Sequence, residues 1–121
     1  MNFGEKLKSM RIEKGISLRK LAESIGVSAP YLSDVERGQR SSLSAEHLVR
    51  VGDALSLSEE ERRDLFDCAA NSRGEAVASD VLMYAGEVKT VSAALRKARE
   101  LNLGDEEWLQ IIEEMERKRR K

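Results

Sequence analysis

Between Ile16 and Arg40 the chain reads ISLRKLAESIGVSAPYLSDVERGQR. Ser17 stands just before an apolar-periodic run of Leu18, Leu21, Ala22 and Ile25, so its hydroxyl can cap the free N–H groups that open a helix. Gly26 follows that run. Glycine takes positive φ without steric cost, which lets the chain leave one helix and turn sharply toward the next. Ser28 is a second cap, and Pro30 falls in the first helical turn, where its missing N–H is not needed. Tyr31, Leu32, Val35 and Glu36 then carry a second helix to Gly38. Small Ala22 and Gly26, with apolar Val27, Leu32 and Val35, allow the two helices to pack closely at a steep angle. These independent signals agree on a helix-turn-helix, a unit whose second helix suits the DNA major groove. Taken alone, the pattern also fits a plain helical hairpin without a ligand, and the flanks must separate the two.

Those flanks resemble the Cro/CI repressor family, also called the XRE family. The resemblance lies in Leu7, Arg11 and Gly15, then Ile16-Ser17, Leu21-Ala22, Gly26-Val27-Ser28, Tyr31-Leu32-Ser33, Val35-Glu36 and Gly38, followed by apolar Leu48, Val51, Ala54 and Leu55. It covers about the first 70 residues. What it implies is a five-helix, lambda-repressor-like DNA-binding domain, which together with a short C-terminal helical extension makes the expected chain all-α. It further implies a sequence-specific transcriptional regulator, a repressor acting as a dimer on a double-stranded operator. It also pairs Arg11 of the first helix with Glu36, a structural lock rather than a site.

Carried over residue by residue, the resemblance puts Ser28, Ala29, Pro30 and Asp34 at positions that face base edges. Ser17, Leu18, Arg37 and the Gln39–Ser42 loop fall at positions that meet phosphate, and basic Arg19 and Arg40 belong to the same expected surface. Two departures stand out. Leu18 occupies a place where the family often has a phosphate-binding glutamine, and leucine cannot supply that hydrogen bond. Ala29 and Pro30 replace residues that commonly reach bases by bidentate hydrogen bonds. Readout then falls to thymine-methyl contacts, to Asp34 accepting from cytosine N4, or to Tyr31, Ser33 and DNA shape.

The chain has 121 residues, enough for one small domain plus an appendage. Its net charge of −1 hides a segregation. From Met1 to Ser42 eight cations oppose five carboxylates, from Leu43 to Glu87 four oppose ten, and from Val88 onward nine oppose seven. A basic face on the helix-turn-helix attracts phosphate, whereas the acidic middle would turn away from it. With 36% charged residues, solvated helix faces explain most of the charges but not their separation.

Cys68 is the single cysteine, so neither an internal disulfide nor a multi-cysteine metal site is available, and Leu65, Phe66 and Ala69 place it beside a packed apolar face. His47 has no companions at ligand spacing and reads as a boundary residue of its helix. No cofactor is expected. No nucleophile stands beside a base and no glycine loop cradles phosphate, so an enzyme is not indicated. No apolar run has the length of a membrane span and MNFGEKLKSM lacks a signal peptide's apolar stretch, which points to a soluble, cytoplasmic protein without a membrane partner.

The remaining sequence reads as helix. Ser44 caps Ala45 to Leu55, and Ser58-Glu59-Glu60-Glu61 is a capping box opening a helix through about Asn71. Polar Asn71-Ser72-Arg73-Gly74 marks a linker, dividing residues 1–73, the DNA-binding domain, from residues 74–121, an extension for dimerisation or partner binding. Ser79–Ala85 forms a short turn or helix. Val88, Val91, Leu95 and Ala98 stripe the next helix, and Asp105 caps a last one with Trp108, Ile111, Ile112 and Met115 on one side. A similar tail, in which an aspartate-tyrosine stretch precedes an ALRKARE-like helix, resembles short regulators of Gram-positive bacteria and their mobile elements. Stripes on helices this short need burial: against the first domain, against a twin in a homodimer, or against a protein or peptide partner, as in an antitoxin or co-regulator. The terminal ERKRRK reads as a solvated helix end whose cations suit the helix dipole, with phosphate or an acidic partner as the alternative.

Overall fold

In a computed structural model, which describes residues 1–119, eight helices and no strand are found among the described residues. In chain order they are α1 (Phe3–Glu13), α2 (Leu18–Ile25), α3 (Ala29–Glu36), α4 (Ala45–Ala54), α5 (Glu59–Arg73), α6 (Ser79–Glu87), α7 (Thr90–Glu100) and α8 (Asp105–Arg119). The fold is all-α, as expected from the sequence. The chain forms two compact units, Met1–Met83 and Tyr84–Lys121.

Local chemistry sets the boundaries of the first five helices. Asn2, Ser17, Ser28, Ser44 and Ser58 each accept a hydrogen bond from the backbone N–H three residues on. These bonds satisfy N–H groups that would otherwise have no partner in the first turn. At α1 and α5 the box is reciprocal, with Glu5 and Glu61 accepting from the backbone N–H of Asn2 and Ser58. Those hydrogen bonds and Lys14, 3.3 Å away, hold the Glu61 carboxyl below its ordinary pKa. Gly26 ends α2 in the left-handed region at φ 81°, which is the conformation the turn requires.

In the first unit, α1 packs on α3 and α5, α2 on α3 and α4, and α4 on α5. Leu7, Leu21, Ile25, Leu32, Val35, Leu43, Leu48, Val51 and Leu65 are fully enclosed at the centre. Ala22 of α2 is buried in the same core. Cys68 is half-buried and packs against this core, and His47 lies half-buried on α4 with Nδ1 3.1 Å from Ser44 Oγ.

Two long-range polar contacts tie the unit together. Arg11 of α1 donates through Nε and Nη2 to the Glu36 carboxylate at 2.8 and 3.0 Å, and through Nη1 to the Ile16 carbonyl at 3.0 Å. The hydrogen bond to Glu36 raises the Arg11 pKa further. Arg73, at the end of α5, donates to the carbonyls of Ser42 and Leu43 and so anchors the loop that follows α3.

A tight approach fixes the distance between α1 and α3. A Cβ at Gly4 would stand 2.5 Å from the Val35 carbonyl oxygen and 2.6 Å from that of Glu36, both backbone atoms that cannot rotate away. Gly4→Ala therefore has to separate the helices. Despite alanine's better helix propensity, worth about 1 kcal/mol, the substitution should lower stability by about 1–3 kcal/mol in urea denaturation. Unchanged or increased stability would show that α1 does not press on α3 in this way.

The second unit differs from the first in how little it encloses. Ala98 is buried and Val91, Leu103, Trp108 and Ile111 are half-buried, while Leu95, Leu109, Ile112 and Met115 remain exposed.

Two boundaries depart from the sequence expectation. Asn71 to Arg73, polar enough to suggest a linker, form the last turn of α5, and Gly74 is its left-handed cap. The anchoring of Arg73 on the Ser42 loop accounts for the extra turn. Asp105 is the first residue of α8 rather than its cap, since Glu107 accepts from the Gly104 N–H instead. Of the terminal ERKRRK, Glu116 to Arg119 continue α8, while the readings made for Arg120 and Lys121 lie outside the described residues.

Candidate nucleic-acid interface

Helix α3 has two faces because its apolar residues recur at helical spacing. Leu32, Val35 and Glu36 turn inward and are buried. Pro30, Ser33, Asp34 and Arg37, at spacings of three and four, share the other face, where Pro30 and Arg37 are exposed and Ser33 and Asp34 half-buried. Ala29 and Tyr31 are half-buried and pack on the edge of the core. The helix is thus held from behind and presented in front.

At its C-terminal end, four of the residues named from the sequence come together. Arg37 Nη2 lies 2.7 Å from Asp34 Oδ1, and Arg40 Nε lies 3.7 Å from Asp34 Oδ2. The Arg40 guanidinium also sits over the Tyr31 ring, 4.9 Å from its centroid, within range of a cation–π contact. Tyr31, Asp34, Arg37 and Arg40 therefore form one cluster.

The other named residues are placed separately. Ser17 and Ser28 are exposed, but each hydroxyl already accepts from a backbone N–H, that of Lys20 at 3.1 Å and of Tyr31 at 3.2 Å. Any contact with DNA would have to come from the lone pair or proton left over. Arg19 is exposed on the first turn of α2, and Leu18 is half-buried against the core. Leucine at that place serves packing.

From the sequence, Asp34 reads as an acceptor for a base and the arginines as phosphate ligands, each by itself. The three-residue spacing of Asp34 and Arg37 on one helix face was the available signal; the Arg40 contacts depend on the turn after α3 and have no such signature. Among the described residues no group of three or more His, Cys, Asp or Glu is arranged to hold a metal ion. No helix of the described residues is long and apolar enough to cross a membrane.

Comparison with known proteins gives concordant matches. A family model for the helix-turn-helix domain matches residues 2–65. Over 85 residues the chain is 33% identical to the HTH-type transcriptional regulator SinR of Bacillus subtilis strain 168, covering 66% of this chain and 77% of that protein. Over 57 residues it is 47% identical to an HTH-type transcriptional regulator of Mycobacterium tuberculosis strain H37Rv, covering 47% of this chain and 40% of the relative. Among solved structures, one of the master regulator for biofilm formation SinR in complex with DNA matches at 40% identity, covering 48% of this chain and 95% of that one, with a TM-score of 0.43.

Proposed function

The chain belongs to the helix-turn-helix domain family of transcriptional regulators, and on that premise we propose that it acts as a repressor, bound as a dimer to a two-part operator with α3 in the major groove. The observation that carries this is the two-faced α3. Its buried side fixes it to the core, while Pro30, Ser33, Asp34 and Arg37 form an outward stripe with Arg40 at its end. In this reading Ser28, Ala29, Pro30, Tyr31, Ser33 and Asp34 meet base edges and methyl groups. Ser17, Arg19, Arg37 and Arg40 meet backbone phosphates. We place the protein in the cytoplasm, where its DNA is.

The division of labour we propose gives residues 1–73 the DNA and residues 74–121 self-association. Leu109, Ile112 and Met115 leave an apolar stripe exposed on α8, and the charges of that helix suit a second copy lying antiparallel. With a two-fold axis at Ile112, Asp105, Glu106 and Glu107 of one copy oppose Arg119, Lys118 and Arg117 of the other. Leu109 then opposes Met115. Such a pairing satisfies the self-complementarity that a two-fold interface demands, and two-fold proteins read two half-sites about one helical turn apart.

Sedimentation of the full chain should give the mass of a dimer, and Ile112→Lys should give that of a monomer with much weaker hold on a two-part site. A monomeric parent, or a dimer untouched by Ile112→Lys, would contradict this interface. Capture of a different protein by a monomeric parent, lost in Ile112→Lys, would favour the antitoxin or co-regulator reading of the tail.

A further inference from the structure

A carboxylate in the middle of a surface that meets phosphates is unfavourable unless a donor takes it up. Here the donors are the chain's own. Each Asp34 oxygen faces one guanidinium, Oδ1 that of Arg37 at 2.7 Å and Oδ2 that of Arg40 at 3.7 Å, and Arg40 is further held over Tyr31. The two arginines at the end of α3 are thus tied to a single negative charge, on side chains that remain 60% and 55% exposed. Nothing in the core requires this arrangement. All three side chains lie on the outward face, and the fold's own ion pair, Arg11 with Glu36, is elsewhere.

We propose that Asp34 is a specificity-determining residue, an internal counter-ion that occupies Arg37 and Arg40 until a base amino group in the groove takes over its carboxylate and releases both arginines to the phosphates. This rests on the placement of α3 in the major groove. On DNA of arbitrary sequence, the arginines can reach phosphate only by leaving the carboxylate unpaired against a negative surface. On a site that offers cytosine N4 or adenine N6 opposite residue 34, the carboxylate exchanges one donor for another. The same side chain then suppresses binding to random DNA while leaving the selected site intact. Surface ion pairs are weak, so the suppression is modest, roughly three- to tenfold. It applies, however, to every competing site in a genome.

The test uses fluorescence anisotropy with the full chain and two labelled duplexes of equal length, one selected by the parent from a random pool and one of random sequence. Asp34→Asn should bind the random duplex roughly three- to tenfold more tightly than the parent. Its log K against log salt should steepen by up to about one, as for an added phosphate contact, and its preference for the selected duplex should fall. Asp34→Ser, the second neutral variant, should do the same, and Asp34→Glu should stay near the parent. In an Arg37→Ala/Arg40→Ala background, Asp34→Asn should bring much less.

Unchanged or weaker random-duplex binding by both neutral variants, with thermal melting like the parent's, would overturn the proposal. So would an equal increase in both backgrounds, because plain repulsion by Asp34 would then suffice. A parent that binds neither duplex in dilute salt would overturn the DNA-binding reading itself, and this proposal with it.

Discussion

Glu36→Ala should destabilise the first unit by about 3 kcal/mol in urea denaturation, a larger effect on folding than any surface substitution in this chain. The Glu36 side chain is 4% exposed and that of Arg11 is 11% exposed. Truncating the glutamate strands a guanidinium that holds two of its bonds to that carboxylate. Breaking a buried pair in this way costs about 3–5 kcal/mol, and the residual exposure of Arg11 puts this pair at the lower end. The pair itself need not be strongly stabilising, since its formation also desolvates two charges. Arg11→Met/Glu36→Leu, which removes both charges and refills the volume, should therefore recover most of the loss. Equal destabilisation by the single and double variants would mean that packing of the two side chains, and not the stranded charge, sets the cost. Because Glu36 is the last residue of α3, the single variant should also loosen the helix that carries the candidate interface.

The second large effect concerns DNA. Arg37→Ala/Arg40→Ala should weaken binding to every duplex, most of all the selected one, by roughly 5- to 150-fold at low salt, since a hydrogen bond contributes about 0.5–1.5 kcal/mol net and two are removed. The slope of log K against log salt should flatten by about one to two, the signature of lost phosphate contacts. Melting should be little changed, because both side chains are exposed and their ion pairs with Asp34 lie at the surface. Ala29→Gln, by contrast, should change which duplexes are selected while leaving the salt slope alone, as a group that meets base edges would. A double alanine variant with the parent's affinity and slope would place the phosphate-binding face elsewhere.

These expectations show how far local signals reach. The caps at Ser17, Ser28, Ser44 and Ser58 and the turn at Gly26 were legible because each depends on a side chain and backbone within three or four residues. The apolar residues of α2 and α3 were legible for the same reason, as helical spacing alone sorts Leu21, Ile25, Leu32 and Val35 to one side. Arg11 and Glu36, 25 residues apart, have no local signature, and only the family resemblance joined them. Asn71 to Arg73 misled because polar residues suit both a linker and an exposed last helical turn. The deciding contact, Arg73 on the Ser42 loop, is tertiary.

The candidate interface was legible as a set of residues and not as an arrangement. An aspartate among DNA-facing positions reads as an acceptor for a base, and exposed arginines read as phosphate ligands. That one carboxylate holds both arginines follows from the turn beyond α3, which bends Arg40 back over Tyr31. In the tail, the stripes of α7 and α8 were visible as periodicity, but sequence alone left open what covers them. Exposure of Leu95, Leu109, Ile112 and Met115 is what directs attention to a second copy.

The placement of α3 against DNA is tested most directly by following the backbone amide resonances of the full chain as a selected duplex is titrated in. The largest shifts should fall on Ser17–Lys20 and Ser28–Arg40, while those of α5, whose first turn is acidic, stay in place. Shifts confined to Tyr84–Arg119, or a spectrum that ignores the duplex in dilute salt, would contradict the account.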